Sequence, residues 1–231
     1  MNEHEMKVIA RIHTEFPTKF GIPRQSGIVD ALRATIVFEP EYRNPDALRG
    51  LEGFSHIWLI WQFSRGIRDK WSPTVRPPRL GGNTRMGVFA TRSPFRPNPI
   101  GLSSVRLEKI DMQAKEGPIL VVSGADLMDG TPIYDIKPFI PYADNHPDAL
   151  GGFTQNSSGE ILAVDIPQEW LDCVPEEKRE ALRGVLAHDP RPSYQDDPER
   201  IYGMAFAGLE VKFRVSGDQL TVCSITCSEN R

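Results

Sequence analysis

Arginine is concentrated in one acid-free stretch of this chain, and its forked guanidinium group is suited to binding phosphates and carboxylates. We call residues 70–107 the arginine-rich segment. It holds seven basic residues and no acidic residue, whereas the rest of the chain has 20 basic residues against 31 acidic ones. A net-acidic protein that gathers its arginines in this way is expected to bind an anionic partner or cofactor there. The basic residues are Lys70, Arg76, Arg79, Arg85, Arg92, Arg96 and Arg106.

Prolines stiffen the backbone of the arginine-rich segment near its arginines. Six prolines restrict the backbone, so the guanidinium groups lose little conformational freedom when they bind. Gly81 and Gly82 would let a ligand approach the backbone closely. A stiff structural loop is the alternative, but no acidic residue within the segment is present to pair with the arginines.

Three shorter motifs could add chemistry to this segment. Pro23-Arg24-Gln25 offers a guanidinium and an amide in a loop, or is simply a solvated turn. Residues 126–138 contain three aspartates around the Asp129-Gly130 pair, which also suits a hairpin turn. Asp189-Pro190-Arg191-Pro192, with Tyr194 close behind, could stack on unpaired bases or serve as a rigid connector.

Common metal and nucleotide motifs are absent from the sequence. It has no G-x-G-x-x-G, no phosphate loop, no G-x-S-x-G elbow, no His-Glu-x-x-His and no paired C-x-x-C. We therefore expect no Rossmann site. We also expect no metal ion, since Asp135, one of the three aspartates that could bind one, is expected to pair with Lys137 or a nearby arginine. The three cysteines are too few for a disulfide framework and are expected to be buried free thiols.

The elements that must position these residues are mostly strands. Short apolar runs alternate with glycine, proline and Asn-Pro at the spacing of a barrel or sandwich. After a connection at about 138–159, Pro175 and two acidic residues predict a helix to about Ala187. A three-stranded meander follows. The predicted strands are residues 6–14, 32–38, 54–63, 86–91, 100–110, 119–123, 131–136, 201–206, 209–215 and 219–227.

These elements predict a mainly β protein with two domains, a barrel or sandwich at 1–145 and a small α+β domain at 160–231. No apolar run approaches the roughly 20 residues that span a bilayer. The first residues are acidic and lack the order of a signal peptide. We therefore expect a cytoplasmic protein with no membrane partner.

Taken together and in order, the motifs resemble the bacterial TrmO group, which are tRNA methyltransferases of the TsaA-like superfamily. The resemblance covers nearly the whole chain and is weakest at about 140–185. The motifs that carry it are Pro23-Arg24-Gln25, residues 49–56, 76–101, 129–132 and 135–138, and Asp189-Pro190-Arg191-Pro192.

The resemblance implies a single-sheeted β-barrel that binds S-adenosylmethionine, followed by a domain that binds tRNA. The implied reaction methylates the N6 nitrogen of threonylcarbamoyl-adenosine, next to the anticodon of threonine tRNA. Family members are homodimers, with the methyl donor near the subunit interface. Ser64 stands where the resemblance leads us to expect histidine. The implied donor-binding residues are Pro23, Arg24, Gln25, Phe63, Ser64, Arg92, Leu102, Asp126, Leu127, Met128 and Asp129.

The methyl donor carries a sulfonium, a carboxylate and an adenine, so its site needs an oxygen near sulfur, a cation and apolar walls. Arg24 or Arg92 could meet the carboxylate, and Phe63, Leu102 and Met128 could form walls. Asp129 could face the sulfur. The N6 nitrogen is a poor nucleophile, so Asp129 or Asp135 is the predicted proton acceptor. The predicted tRNA-binding residues are Arg76, Arg79, Arg85, Arg96, Arg191 and Tyr194.

Two other functions fit the same residues. A non-catalytic RNA-binding or regulatory protein could keep the barrel and bind no S-adenosylmethionine. A methyltransferase acting on a small molecule or a protein would bind the methyl donor without depending on RNA, and its C-terminal domain would then cover the substrate.

Overall fold

The computed structural model describes residues 5–64, 70–77, 80, 83–155, 161–192 and 197–227. None of the helices in these ranges is long and apolar enough to cross a membrane. The strands are β1 (Ala10–His13), β2 (Arg33–Phe38), β3 (His56–Gln62), β4 (Thr74–Val75), β5 (Met86–Gly87), β6 (Ile100–Asp111), β7 (Ile119–Ser123), β8 (Thr131–Pro138), β9 (Ala163–Asp165), β10 (Tyr202–Phe206), β11 (Leu209–Ser216) and β12 (Gln219–Cys227). The α-helices are α1 (Pro141–Asp144), α2 (Gln168–Leu171) and α3 (Glu176–Ala187).

Six strands close into an antiparallel barrel in the order β1-β2-β7-β6-β3-β8. Side chains fill the interior of the barrel, because every second side chain along each strand points inward. On β3 the inward residues Ile57, Leu59 and Trp61 are buried, while their neighbours are half-buried. Outside the barrel the Trp58 indole packs on Phe139, with ring centroids 5.6 Å apart. The predicted barrel is confirmed.

The C-terminal part is a four-stranded sheet, β10-β11-β12-β9, covered by α3. Leu182 and Leu186 of α3 are fully buried in this core. Phe16 and Val29, from the connection between β1 and β2, belong to the same buried cluster. The small α+β region is therefore confirmed, and its core is partly built from residues of the N-terminal part.

Two local predictions were wrong. Residues 86–91 were predicted as one strand, but β5 ends at Gly87 and a 3-10 helix follows at Val88–Ala90. That helix ends at Thr91, whose backbone is extended and whose hydroxyl and amide both donate to the Val88 carbonyl oxygen. The connection at 138–159 contains α1, where the Asp144 carboxylate accepts hydrogen bonds from the Trp58 indole and the Ile140 amide.

The cysteines are free thiols, but they are not all buried. Cys173 and Cys227 are exposed and Cys223 is half-buried. Cys227 is the last residue of β12, where the strand leaves the core. The prediction of buried thiols is corrected accordingly.

Candidate active site

A cavity of about 630 Å³ opens beside the barrel, a volume typical of small-molecule sites. The connection between β1 and β2 forms one wall. The end of β3, the start of β6 and the turn before β8 form the others. The lining residues are Lys19, Ile22, Pro23, Arg24, Gln25, Trp61, Phe63, Ser64, Thr91, Arg92, Arg96, Asn98, Ile100, Gly101, Leu102, Asp126, Leu127, Met128 and Thr131.

Charge in the cavity is asymmetric. Among the described lining residues there are four basic side chains, and Asp126 is the one carboxylate. Apolar side chains of β3, β6 and the turn make up most of the remaining wall. Such a site suits a ligand with a flat apolar part and an anionic part.

Part of the cavity wall is formed by the indole of Trp61, which packs directly on the backbone of Gly101. Trp61 of β3 faces Gly101 of β6 in the strand register. A Cβ atom at Gly101 would lie 2.2 Å from Cε2 of the Trp61 ring, so only glycine leaves room for it. The Trp61 and Phe63 ring centroids are 4.4 Å apart. The two rings form one apolar wall.

A chain of hydrogen bonds runs from this indole to the carboxylate. The Trp61 Nε1 group donates to the Ser103 Oγ atom at 3.0 Å, and Ser103 Oγ donates to the Asp126 Oδ1 atom at 2.6 Å. Ser103 is fully buried. Burial raises the pKa of Asp126, while the Ser103 hydrogen bond and the Arg92 charge act to lower it. Asp126 is thus a positioned carboxylate whose charged form is poorly solvated.

Arg92 is oriented by the opposite wall. Its Nη1 group donates a hydrogen bond to the Gln25 Oε1 atom. This bond joins the arginine-rich segment to the Pro23-Arg24-Gln25 motif across the cavity. Two motifs that are 67 positions apart in sequence therefore contribute to one site.

The loop that carries Arg24 is held against the C-terminal sheet. Gly21 has a φ of +91°, and a Cβ atom there would lie 2.2 Å from the Met204 sulfur. The Arg24 Nη2 group donates to the Arg191 carbonyl oxygen at 3.2 Å. The Arg191 guanidinium in turn donates to both carboxylate oxygens of Asp189, at 2.9 and 3.0 Å. The C-terminal region therefore helps to position the cavity wall.

Comparison with known proteins identifies this arrangement. The family profile of the tRNA-methyltransferase O N-terminal domain matches residues 11–145, and that of the TrmO C-terminal domain matches residues 161–228. The chain belongs to the TrmO family. This finding confirms the resemblance seen in the sequence motifs.

Relatives within the TrmO family cover most of the chain. An Escherichia coli K12 protein named tRNA (adenine(37)-N6)-methyltransferase is 41% identical over 224 residues, which is 94% of this chain and 95% of that protein. An Eikenella corrodens protein of the same name is 47% identical over 167 residues, 70% of this chain and 91% of its own length. The crystal structure of TrmO from Pseudomonas aeruginosa has 33% sequence identity and a TM-score of 0.79, over 97% of this chain and 99% of that one.

Most of the donor-binding residues that the TrmO resemblance implies lie together. Ten of the eleven line the cavity. Asp129 is not among its lining residues, although its neighbour Met128 is. The Asp129 Oδ1 atom accepts a hydrogen bond from the Thr14 amide at 3.1 Å and lies 3.2 Å from His13 Nδ1. The ten lining residues are Pro23, Arg24, Gln25, Phe63, Ser64, Arg92, Leu102, Asp126, Leu127 and Met128.

Asp135, the other predicted proton acceptor, lies elsewhere. It is on β8, and the Lys137 Nζ atom is 2.9 Å from its Oδ2 atom, as expected from the sequence. It lines a second cavity of about 560 Å³ together with Phe38, Tyr42 and Leu51. The structure does not bring Asp135 to the first cavity, where the carboxylate is that of Asp126.

The residues predicted to bind tRNA are more dispersed. Arg76 and Arg85 are exposed. Arg96 lines the cavity, and its Nη1 group donates to the Thr91 carbonyl oxygen at 3.1 Å. The Arg191 side chain is only 11% exposed beside Asp189. Arg79 and Tyr194 lie outside the described residues.

Several residues of the cavity were not predicted as site residues from the sequence. Trp61 and Ser103 were assigned only to strands, and their pairing depends on the β3–β6 register. Lys19 and Asn98 belong to loops whose course the sequence does not reveal. Among the described residues, no group of three or more metal-ligating side chains is present.

Proposed function

We propose that this chain is an S-adenosylmethionine-dependent tRNA methyltransferase that acts on an adenine N6 nitrogen. The observation that carries the proposal is the cavity, where the Pro23-Arg24-Gln25 motif meets the arginine-rich segment over a positioned carboxylate. Relatives of this chain are described as S-adenosylmethionine-dependent methyltransferases, and several are named for adenine N6 methylation of tRNA.

The cavity fits the methyl donor in size and in chemistry. Its volume of about 630 Å³ suits a nucleoside-sized ligand. When bound, S-adenosylmethionine supplies an electrophilic methyl group on a sulfonium. Phe63, Leu102 and Met128 offer apolar surface to an adenine ring. Arg24 and Arg92 offer guanidinium groups to a carboxylate.

Asp126 balances the positive charge of the bound methyl donor. It is the carboxylate of the cavity, and Ser103 fixes one of its oxygens. A buried carboxylate is stabilised when a cation lies beside it, which is the position a sulfonium or ammonium group would take. Asp126 thereby helps to align the reacting groups, and alignment can contribute about 7–11 kcal/mol to such a displacement.

The proton that leaves the N6 nitrogen needs an acceptor. Of the two predicted carboxylates, Asp129 is better placed, because Met128 beside it lines the cavity. Asp135 is paired with Lys137 at the other cavity. Asp129→Asn is accordingly expected to slow methyl transfer without weakening donor binding, whereas Asp135→Asn should have little effect on either.

The substrate is threonylcarbamoyl-adenosine next to the anticodon of threonine tRNA. Exposed Arg76 and Arg85 are available for phosphates of the anticodon loop. The protein acts as a homodimer, which is supported by the family resemblance and by Leu102, a cavity-wall residue that is 52% exposed in the single chain. A tRNA substrate also fits the cytoplasmic location expected from the sequence.

Methyl transfer to defined tRNAs tests this function. The protein is incubated with labelled S-adenosylmethionine and threonine tRNA that carries or lacks the threonylcarbamoyl group. Label is expected only in the modified tRNA. RNA binding without a calorimetric signal for the methyl donor would indicate a non-catalytic RNA-binding protein. Donor binding without RNA-dependent transfer would indicate a different substrate.

A further inference from the structure

Two large aromatic side chains of the arginine-rich segment face solvent together. Trp71 is 51% exposed and Phe89 is 74% exposed. Their rings are stacked, with centroids 6.4 Å apart and planes inclined by 23°. Exposed apolar side chains are common singly, but a stacked pair of this size is a candidate binding surface.

The backbone fixes this pair in place. β4 and β5 form a short ladder in which Thr74 faces Gly87, so Trp71 and Phe89 flank the same end of it. The Val88 amide donates to the Pro73 carbonyl oxygen at 3.0 Å and extends that ladder. The rings are therefore held near one another by main-chain bonds, and binding would not have to assemble them.

The pair is adjacent to the candidate active site. Phe89 lies in the 3-10 helix Val88–Ala90, and the next two residues, Thr91 and Arg92, line the cavity. A ligand that extends out of the cavity past these two residues would meet the Phe89 ring.

The surrounding charge favours a nucleic acid over a protein or a lipid surface. The arginine-rich segment has no acidic residue. Arg76 and Arg85 are exposed and lie between β4 and β5, at the end of the ladder opposite to the aromatic pair. Aromatic rings together with exposed arginines are the combination that binds single-stranded nucleic acid, because rings stack on bases while arginines contact phosphates.

We propose that Trp71 and Phe89 form a stacking platform for an unpaired anticodon-loop base that neighbours the methyl-accepting adenosine. This inference rests on the proposed function, since it requires a tRNA substrate at the cavity. An adenosine that enters the cavity must leave its stack, and its neighbour then loses a stacking partner. The platform replaces that partner and so stabilises the opened loop.

Three ring-removing variants, Trp71→Ala, Phe89→Ala and the double variant, test the platform. Each is compared with the full-length wild-type protein for binding of modified threonine tRNA at several salt concentrations and for donor binding by calorimetry. Each single variant is expected to weaken tRNA binding about 5-fold to 100-fold, as expected for loss of one stacked base. The slope of affinity against salt should not change, because no phosphate contact is lost. Donor affinity should also be unchanged.

Ring-preserving variants and a remote control separate stacking from folding. Trp71→Phe and Phe89→Tyr keep an aromatic surface and are expected to retain most of the tRNA affinity. Tyr142→Ala removes a side chain that is 91% exposed and lies outside the arginine-rich segment, so tRNA affinity should not change.

The outcomes distinguish this inference from the proposed function. If wild-type protein methylates tRNA and all three ring-removing variants bind tRNA equally well, the platform is overturned alone. If those variants convert a dimer into monomers in sedimentation, the pair belongs to a subunit interface and the platform is again overturned. If wild-type protein binds no tRNA, both proposals fail.

Discussion

The guanidinium of Arg24 donates a hydrogen bond to the main-chain carbonyl of Arg191, 167 positions further along the chain. This contact joins the wall of the cavity in the N-terminal part to the Asp189-Pro190-Arg191-Pro192 motif in the C-terminal part. The Arg191 side chain is held on Asp189, a residue with a φ of 47°. The motif predicted to bind tRNA thus also supports the candidate methyl-donor site.

Arg191→Ala tests which of these roles dominates. If Arg191 positions Arg24 through the local chain, the variant should weaken donor binding about threefold to tenfold, because the carbonyl that Arg24 contacts is no longer fixed by the bonds between the Arg191 side chain and Asp189. Calorimetry with S-adenosylmethionine measures this effect. Unchanged donor affinity, with a tRNA salt dependence reduced by about one charge, would instead make Arg191 a phosphate contact.

Gly101→Ala should disturb the cavity through a single methyl group. The added Cβ atom would overlap the Trp61 ring and push the indole away from Ser103. We expect a loss of about 1–3 kcal/mol in the free energy of unfolding, together with weaker donor binding. Gly53→Ala is the matched control, because nothing lies within 4 Å of its added atom. Equal unfolding midpoints for the two variants in a denaturant titration would contradict the seating of Trp61 on Gly101.

Arg92→Ala should weaken donor binding about fivefold to fiftyfold, since it removes a guanidinium that Gln25 orients toward the site. Arg92→Lys should restore little of this loss, because an ammonium lacks the forked geometry. Arg106→Ala is the control, as Arg106 belongs to the arginine-rich segment but does not line the cavity. Donor titrations in which the Arg92 and Arg106 variants behave alike would exclude this role for Arg92.

The contents of the cavity were more predictable from the sequence than its geometry. Pro23-Arg24-Gln25 and Arg92 could be named because they match the motifs that carry the TrmO resemblance. The turn at residues 126–129 could also be named, but not which of its aspartates enters the cavity. Asp126 lines the cavity and accepts a hydrogen bond from Ser103, whereas Asp129 lies beside the lining residue Met128 and contacts the Thr14 amide and His13.

The alignment of strands that are distant in sequence could not be predicted from the sequence. Strand identity follows from alternation, which predicted a barrel or a sandwich, and the TrmO resemblance implied the barrel. The Trp61–Gly101 pairing depends on how β3 and β6 align, which no local pattern records. The short helix at Val88–Ala90 replaced a predicted strand because Thr91 bonds back to Val88, and that turn also brings out Phe89.

Tyr202→Phe is expected to leave the protein equally stable or more stable, by up to about 1 kcal/mol. Within the described residues, the buried Tyr202 hydroxyl has no hydrogen-bond partner, so its removal relieves a desolvation cost. Tyr134→Phe is the matched control, since the Tyr134 hydroxyl donates to the Gln62 side chain and its loss should be destabilising. Thermal unfolding of both variants decides the point, and a lower midpoint for Tyr202→Phe would reveal a partner for that hydroxyl.

Asp126→Asn should separate binding from stability. The pKa of Asp126 is raised above its ordinary value of 3.8 by burial, so the charged carboxylate destabilises the folded state at neutral pH. The variant removes that charge and should unfold at a higher temperature near pH 7, while it binds the methyl donor more weakly. This stability gain should shrink as the pH falls through the raised pKa and vanish below 3.8, where the wild-type carboxyl becomes protonated in both states.

Asp111→Asn supplies a control of opposite sign for this pH dependence. Hydrogen bonds from the Lys109 side chain and the Gln113 amide lower the pKa of Asp111, so its carboxylate stabilises the folded state at neutral pH. That stabilisation is lost as the pH falls through the lowered pKa, and the variant should never be more stable than wild type. Melting temperatures measured from pH 3 to pH 8 would therefore diverge in opposite directions for the two variants near neutrality. If Asp126→Asn lowered the melting temperature near pH 7, as Asp111→Asn should, burial would not be what raises the pKa of Asp126.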